Sequence, residues 1–306
     1  MNADNHAEVE RAEVQYLDGL RRIYEDGVNL YNARTKTWCR TIINIDLVYD
    51  ARTTTAPLIT TRKAPVKLPI AELLGYIKGV TSAAQMRELG AKSWDANANE
   101  NAAWLASPYR SGEDDLGLIY GAVAKNWPMH AWETPTTIDL FKKVYNNLKK
   151  GVDDRGEIIT FWNPGMFHLG CLRPCMYEHQ FSLLGDDLYL NSTQRSSDWP
   201  LGTVANMVQC WLLLRLMAQI TGKNPMFAFH KNVNSHIYGA CDDKPGEVTQ
   251  LDLVPEHLSR KPLAEPTIDI NPDIKTFEDL ETWVTVRDFT VTYNEYHAPI
   301  DYPFSV

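Results

Sequence analysis

Residues 177–194 read YEHQFSLLGDDLYLNSTQ. The two halves, 177–184 and 187–194, alternate apolar and polar side chains, and Gly185-Asp186 separates them. A period of two marks a half-buried strand, and a Gly-Asp pair between two such runs marks a tight turn, so the stretch reads as a β-hairpin. Working outward, further strand-like runs lie at 41–49, 157–162 and 288–293, and helical periodicity lies at 9–29, 68–80 and 137–150. Strands and helices mix without strict strand–helix–strand alternation, which predicts the α+β class.

The most apolar stretch, 203–222, carries Asn206, Gln209, Arg215 and Gln219. An arginine near its middle disfavours a bilayer span and favours a buried helix stopped by Gly222. Segments 96–116 and 242–273 are polar and rich in Asn, Asp, Pro and Gly, and read as long surface insertions of one domain. The chain has 306 residues, 30 Lys+Arg against 39 Asp+Glu and a formal net charge of −9, which excludes a general nucleic-acid surface. An acidic chain that handles a phosphorylated ligand must concentrate its arginines locally. Five cysteines (39, 171, 175, 210, 241) and a polar, charged start predict reduced thiols and a cytoplasmic protein.

Three constellations carry chemistry. His168, Cys171, Cys175 and His179 are all metal-ligand types, but four ligands within twelve residues around Pro174 close a tetrahedron poorly. Buried thiols beside chance histidines are the plainer reading, and no metal is expected. Cys175, in Arg173-Pro174-Cys175 at the mouth of a strand, alternatively reads as a nucleophile whose thiolate is stabilised by Arg173 and Arg195. In Gln194-Arg195-Ser196-Ser197-Asp198, the arginine fork and serine hydroxyl suit one phosphate. The Asn206 amide, with donor and acceptor side by side, suits a uracil edge. That loop reads equally as a helix cap, and His236 and Tyr238 read equally as sugar ligands or packing.

Taken together, these residues resemble the thymidylate synthase family. Asn32-Ala33-Arg34-Thr35, Pro57-Leu58-Ile59-Thr60-Thr61-Arg62-Lys63, Ile70-Ala71-Glu72-Leu73-Leu74, Trp94-Asp95, Tyr120-Gly121, Asp154-Arg155, Arg173-Pro174-Cys175, Gln194-Arg195-Ser196, Leu201-Gly202, Asn206 and His236-x-Tyr238 follow the family's order and spacing. The resemblance covers residues 14–306, one catalytic domain behind an N-terminal extension of residues 1–13. It implies a large mixed or antiparallel sheet packed with helices, and a homodimer formed through that sheet.

The resemblance also implies roles. The family transfers a one-carbon unit from 5,10-methylenetetrahydrofolate, a cosubstrate, to C5 of dUMP. Cys175 matches the nucleophile that adds to C6. Arg195 matches the residue that lowers the thiol pKa and binds phosphate, with Arg34, Ser196 and a partner-donated Arg155 as further phosphate ligands. Asn206 matches the residue that reads the N3–O4 edge, and His236 and Tyr238 match the ligands of the sugar 3′-hydroxyl. Glu72 matches the organiser of water and proton transfer, and Tyr120 lies near the C5 proton. Trp94, Asp198, Gly202 and Val306 match positions that contact folate or close the site, with Asp198 also beside the nucleotide.

Several positions depart from the family pattern: Ser197, Trp199, Thr203, Val204, Ala205, Ala56 and Ala64-Pro65-Val66. Losing an aromatic beside Asn206 and adding the Thr203 hydroxyl points to a smaller, wetter pocket. On that basis the expected last step is hydration, which makes the chain a dUMP hydroxymethylase of the kind found in phages, with 5-hydroxymethyl-dUMP as product. The alternative is reduction to dTMP with dihydrofolate. More distant is a non-catalytic nucleotide- or RNA-binding protein on the same fold.

Overall fold

The computed structural model describes residues 9–33, 35–129 and 136–304. Arg34 and Val306, expected at the phosphate loop and the closing C-terminus, lie outside the described residues. The chain begins with helix α1 (Ala12–Asp26) and the hairpin β1 (Val28–Asn32) and β2 (Thr37–Asp50). Helices α2 (Lys67–Lys78), α3 (Ala83–Leu89), α4 (Asp95–Asn99), α5 (Ala102–Leu105) and α6 (Gly121–Lys125) follow. The short pair β3 (Trp127–Met129) and β4 (Thr136–Ile138) precedes α7 (Leu140–Lys149). Next come β5 (Ile158–Thr160), β6 (Met176–Leu184), β7 (Asp187–Gln194), β8 (Ser197–Asp198), α8 (Val204–Thr221) and β9 (Asn224–Cys241). Helix α9 (Gln250–Ser259), β10 (Thr267–Ile270), α10 (Phe277–Glu281) and β11 (Phe289–Thr292) close the chain.

A seven-stranded sheet in the order β1-β2-β9-β7-β6-β5, with β8 beside β9, carries the architecture. It is antiparallel except where β7 and β8 run parallel to β9, so the sheet is mixed and the class is α+β. The hairpin expected at 177–194 is β6–β7. Leu184 faces Asp187 across a turn in which Gly185 takes φ +68°, a conformation that glycine adopts without strain.

The apolar stretch forms α8, buried on nearly every side and ended by Gly222 at φ +70°. By length and composition the segment Trp199–Thr221 resembles a membrane span, yet 72% of its most apolar window is buried inside the fold. Arg215 is partly satisfied there: its Nη1 donates to the carbonyl of Ala51 at 2.8 Å and to that of Thr53, while its buried Nε has no partner among the described residues. Each fully buried leucine, such as Leu212 or Leu214, contributes about 1.5–3 kcal/mol. Helix α1 is pinned by the Glu13 carboxylate, 1% exposed, which accepts the backbone N–H groups of Thr60 (2.6 Å) and Thr61 (2.7 Å) and the Thr60 hydroxyl (2.8 Å).

The two polar segments are not simple surface insertions. Trp104 and Leu116 in the first, and Gln250, Val254, His257 and Ile268 in the second, are buried. Polar composition there reflects capping and turn residues between short helices. The Asn101 side chain caps α5, and Thr249 with Asp252 forms a reciprocal cap on α9.

Candidate active site

The sheet delivers Cys175 immediately before β6 and Arg195 immediately after β7, two strands that pair directly. The Arg195 N–H donates to the Cys175 carbonyl at 2.9 Å. Its guanidinium donates to the carbonyls of Pro174 (2.9 Å) and Arg173 (3.1 Å) and stacks 5.3 Å from the Trp162 ring. A cation is therefore held beside a partly exposed thiol, the setting that favours thiolate. Arg173 is instead exposed and lies over the Phe167 ring.

The Tyr120 hydroxyl accepts the Cys175 N–H at 3.0 Å. Burial, then the facing Cys175, push this phenol well above its ordinary pKa, so it stays protonated. Tyr120 stacks on Tyr76 (4.5 Å between ring centres) and meets Trp94 edge-on (5.8 Å). Its φ of +39° is strained for a non-glycine residue. Any Cβ at Gly121 would run into the Tyr76 carbonyl, which explains the Tyr-Gly pair.

Glu72, on α2, receives the Ser93 hydroxyl (2.6 Å) and the Gln209 amide (3.0 Å). Burial raises its pKa, opposed by the hydrogen bonds from Ser93 and Gln209. Asn206, in the first turn of α8, donates to Gln209 (2.9 Å) and accepts from Gln194 (3.0 Å).

Strand β8 sets Asp198 level with His236 on β9. His236 shares Nδ1 with Asn234 (3.0 Å), which makes Nε2 the acceptor, and its ring lies edge-on to Tyr238 at 5.0 Å. Asp198 accepts the Leu201 N–H (3.3 Å) and the Gln250 amide (3.1 Å). Burial raises its pKa to about 6, against those two hydrogen bonds and the charge of Arg62. Each Asp198 oxygen takes one of these N–H groups, leaving acceptor capacity for a donor on a bound ring, so this carboxyl fits a heteroaromatic cosubstrate. Ser196 is partly exposed next to Arg195.

Two expectations separate from this cluster. Arg155, exposed at φ +68°, sits at the Gln180 end of the sheet, where its carbonyl accepts from Gln180 at 3.2 Å. Five residue steps separate Gln180 from Cys175, about 16 Å at the usual rise, so its own chain does not bring Arg155 to the thiol. The His168–Cys171–Cys175–His179 run also disperses. His179 is buried and shares Nδ1 with Ser192, and Cys171 is buried separately. Among the described residues no group of three His, Cys, Asp or Glu is placed to hold a metal ion.

A family profile described as "Thymidylate synthase" matches residues 14–306. The chain belongs to the thymidylate synthase family. It is 56% identical over 293 residues to the thymidylate synthase of Glaesserella parasuis serovar 5, covering 95% of this chain and 99% of that protein. It is 56% identical over 295 residues to that of Vibrio cholerae serotype O1 and 54% over 293 residues to that of Marinomonas sp., each with the same coverage. Family membership makes the protein a one-carbon transferase that uses methylenetetrahydrofolate as cosubstrate.

These relatives overturn the hydroxymethylase expectation, because chains 54–56% identical over nearly their whole length bear the name thymidylate synthase. The geometry shows why the departures misled. The Thr203 hydroxyl, 0% exposed, bonds to the Ser197 hydroxyl and to the Asp198 carbonyl (3.4 Å), so it orders no water at the base. Trp199, also 0% exposed, stacks on Tyr16 (5.9 Å) and donates to its carbonyl (3.0 Å), filling the core behind the loop. Thr203 and Ser197 thus satisfy each other, and Trp199 packs into the core.

Sequence reading passed over Gln209, Gln194, His230, Gln250 and Arg62 as functional positions. Each has at least one partner far away in sequence; only the placement of two glutamines in or beside the Arg195 and Asn206 motifs hinted at them.

Proposed function

We propose that the protein methylates dUMP at C5 to give dTMP and dihydrofolate. The arrangement that carries this reading is the Cys175 backbone N–H bound to the Tyr120 hydroxyl, the Arg195 guanidinium bound to the adjacent Pro174 carbonyl, and Asn206 and Glu72 joined through Gln209. Cys175 adds to C6, which turns C5 into a nucleophile. Arg195 stabilises the thiolate and, with Ser196 and Arg34, binds the phosphate. Asn206 holds the uracil edge, and His236 and Tyr238 hold the 3′-hydroxyl. Glu72 moves protons at the O4 side, and Tyr120 serves the C5 proton. The folate supplies the one-carbon unit and the hydride. Trp94, Asp198, Gly202 and Val306 bind it or close over it, excluding water from the reactive intermediates.

Within this reading residues 14–306 form one catalytic unit behind residues 1–13, and the protein is a cytoplasmic homodimer whose Arg155 serves the partner's phosphate. The remote, exposed Arg155 supports that arrangement. Five free thiols suit a reducing compartment. Incubation with dUMP and methylenetetrahydrofolate tests the activity: dTMP and dihydrofolate are expected in equal amounts. Nucleotide turnover that leaves only tetrahydrofolate would overturn it, as would turnover by Cys175→Ser at the wild-type rate.

A further inference from the structure

A carboxamide reads either pyrimidine. Uracil offers an N3–H donor beside an O4 acceptor, whereas cytosine offers an N3 acceptor beside an amino donor. Turning the Asn206 amide by half a revolution exchanges its oxygen and nitrogen and would suit cytosine as well as the other orientation suits uracil. Asparagine by itself therefore does not specify the base.

The neighbours of Asn206 remove this ambiguity. A backbone oxygen can only accept, so the Ser196 carbonyl fixes Gln194 with its Nε2 inward, 3.0 Å from both Ser196 O and Asn206 Oδ1. Asn206 Oδ1 must then face Gln194, and its Nδ2 donates to Gln209 Oε1 at 2.9 Å. Gln209 Nε2 is left to donate to Glu72 Oε2 at 3.0 Å. On the other side, Gln194 Oε1 pairs with His230 Nε2 (2.9 Å), and His230 Nδ1 pairs with the Tyr49 hydroxyl (2.9 Å). Burial holds the His230 pKa down to about 3, so the ring is neutral, with its proton on Nε2 and Nδ1 accepting from Tyr49. Gln194 and Gln209 are 2% and 4% exposed, so water does not substitute for them. A flipped Asn206 would set oxygen against oxygen at Gln209 and amide against amide at Gln194.

We infer that Gln209 and Gln194 are positioning residues that lock the Asn206 carboxamide in the orientation complementary to uracil, and that Gln209 passes this polarity on to Glu72 Oε2. Both Glu72 oxygens then accept a hydrogen bond, Oε1 from the Ser93 hydroxyl and Oε2 from Gln209. The inference rests on the proposed use of dUMP and adds to it the source of the base preference.

The test compares Gln209→Met, which nearly matches the side chain's shape without its polarity, with wild type. kcat/KM and equilibrium binding are measured for dUMP and dCMP. The dUMP-over-dCMP preference is expected to fall about tenfold, because one of the two contacts that oppose a turned Asn206 is removed and only Gln194 still disfavours it. A role confined to packing would lower both nucleotides equally. In an Asn206→Asp background, whose carboxylate has two equivalent oxygens, Gln209→Met should leave the ratio unchanged. Should Gln209→Met not fold, Gln209→Asn keeps the polarity but draws the amide away from both partners, and the same fall in ratio is expected. A folded variant of either kind that retains the wild-type ratio overturns the inference. If wild type makes no dTMP, the proposed activity fails, while the binding ratio still decides the role of Gln209.

Discussion

The Tyr120 hydroxyl accepts the backbone N–H of Cys175 at 3.0 Å, so the nucleophile is held from behind by a phenol that burial keeps protonated. Tyr120→Phe leaves that N–H without its acceptor while preserving the stack on Tyr76. An orphaned buried donor costs about 1–3 kcal/mol, and the same loss at the reacting centre lowers kcat by about 5- to 150-fold. Steady-state kinetics should show the fall in kcat with little change in dUMP binding. An unchanged kcat would remove Tyr120 from the chemistry.

The carboxyl of Asp198 titrates at about 6 because burial penalises its charge. The folded state then holds this proton more tightly than the unfolded chain does. Its stabilising effect is complete below the unfolded pKa near 4 and is lost as pH rises toward 6. The whole difference is at most about 3 kcal/mol. Asp198→Asn should therefore gain stability relative to wild type between pH 4 and 6.5 and show a flatter profile there, measured as urea midpoints across pH. If Asp198 binds folate as the anion, wild-type affinity for folate should rise through pH 6, and this rise should vanish in the variant.

Gln250 joins three parts of the site. It is 0% exposed, donates to Asp198 (3.1 Å) and to the Pro303 carbonyl (3.0 Å), and accepts the Tyr238 N–H (3.0 Å). Gln250→Ala releases the C-terminal segment and the folate-facing carboxylate together. The expected result is a rise of about tenfold in KM for folate, about one lost hydrogen bond's worth, with a smaller change for dUMP. Carboxypeptidase should also shorten the variant faster than wild type. Equal KM values would show that the C-terminal contact does not bear on folate.

The parts of this molecule that sequence reading captured are those whose signal is local. The β6–β7 hairpin announces itself through alternation and Gly185, and α8 through its apolar run and Gly222. Strand β9 was missed as an element although it is the longest strand described, at 18 residues. Its buried side includes His230 and Asn232, which break the apolar pattern because they belong to or border the polar network beneath the site. The motif residues Cys175, Arg195, Asn206 and Glu72 were legible through family spacing. The glutamines that connect them were not, because Gln209 meets Glu72 across 137 residues of sequence. The Thr203 hydroxyl misled for a related reason, since its bond to the Ser197 hydroxyl is set by folding.

Arg155 offers the sharpest test of how the site is completed. It is exposed, about 16 Å along the sheet from the Cys175 of its own chain, and tied locally by its own N–H to Asp153 at 2.7 Å. If the partner's Arg155 completes each phosphate site, then Arg155→Ala and Cys175→Ser proteins should each be severely impaired alone. Mixed after unfolding and refolded together, half of the dimers pair one variant with the other. In such a pair one site lacks both groups, while the other has an intact thiol and an intact arginine donated across the two-fold axis. Activity should return to about one quarter of the wild-type value per site. If Arg155 served its own chain, each site in a mixed dimer would still lack one group and no activity would return. Recovery on mixing therefore separates a shared site from a self-contained one, independently of how much each substitution costs.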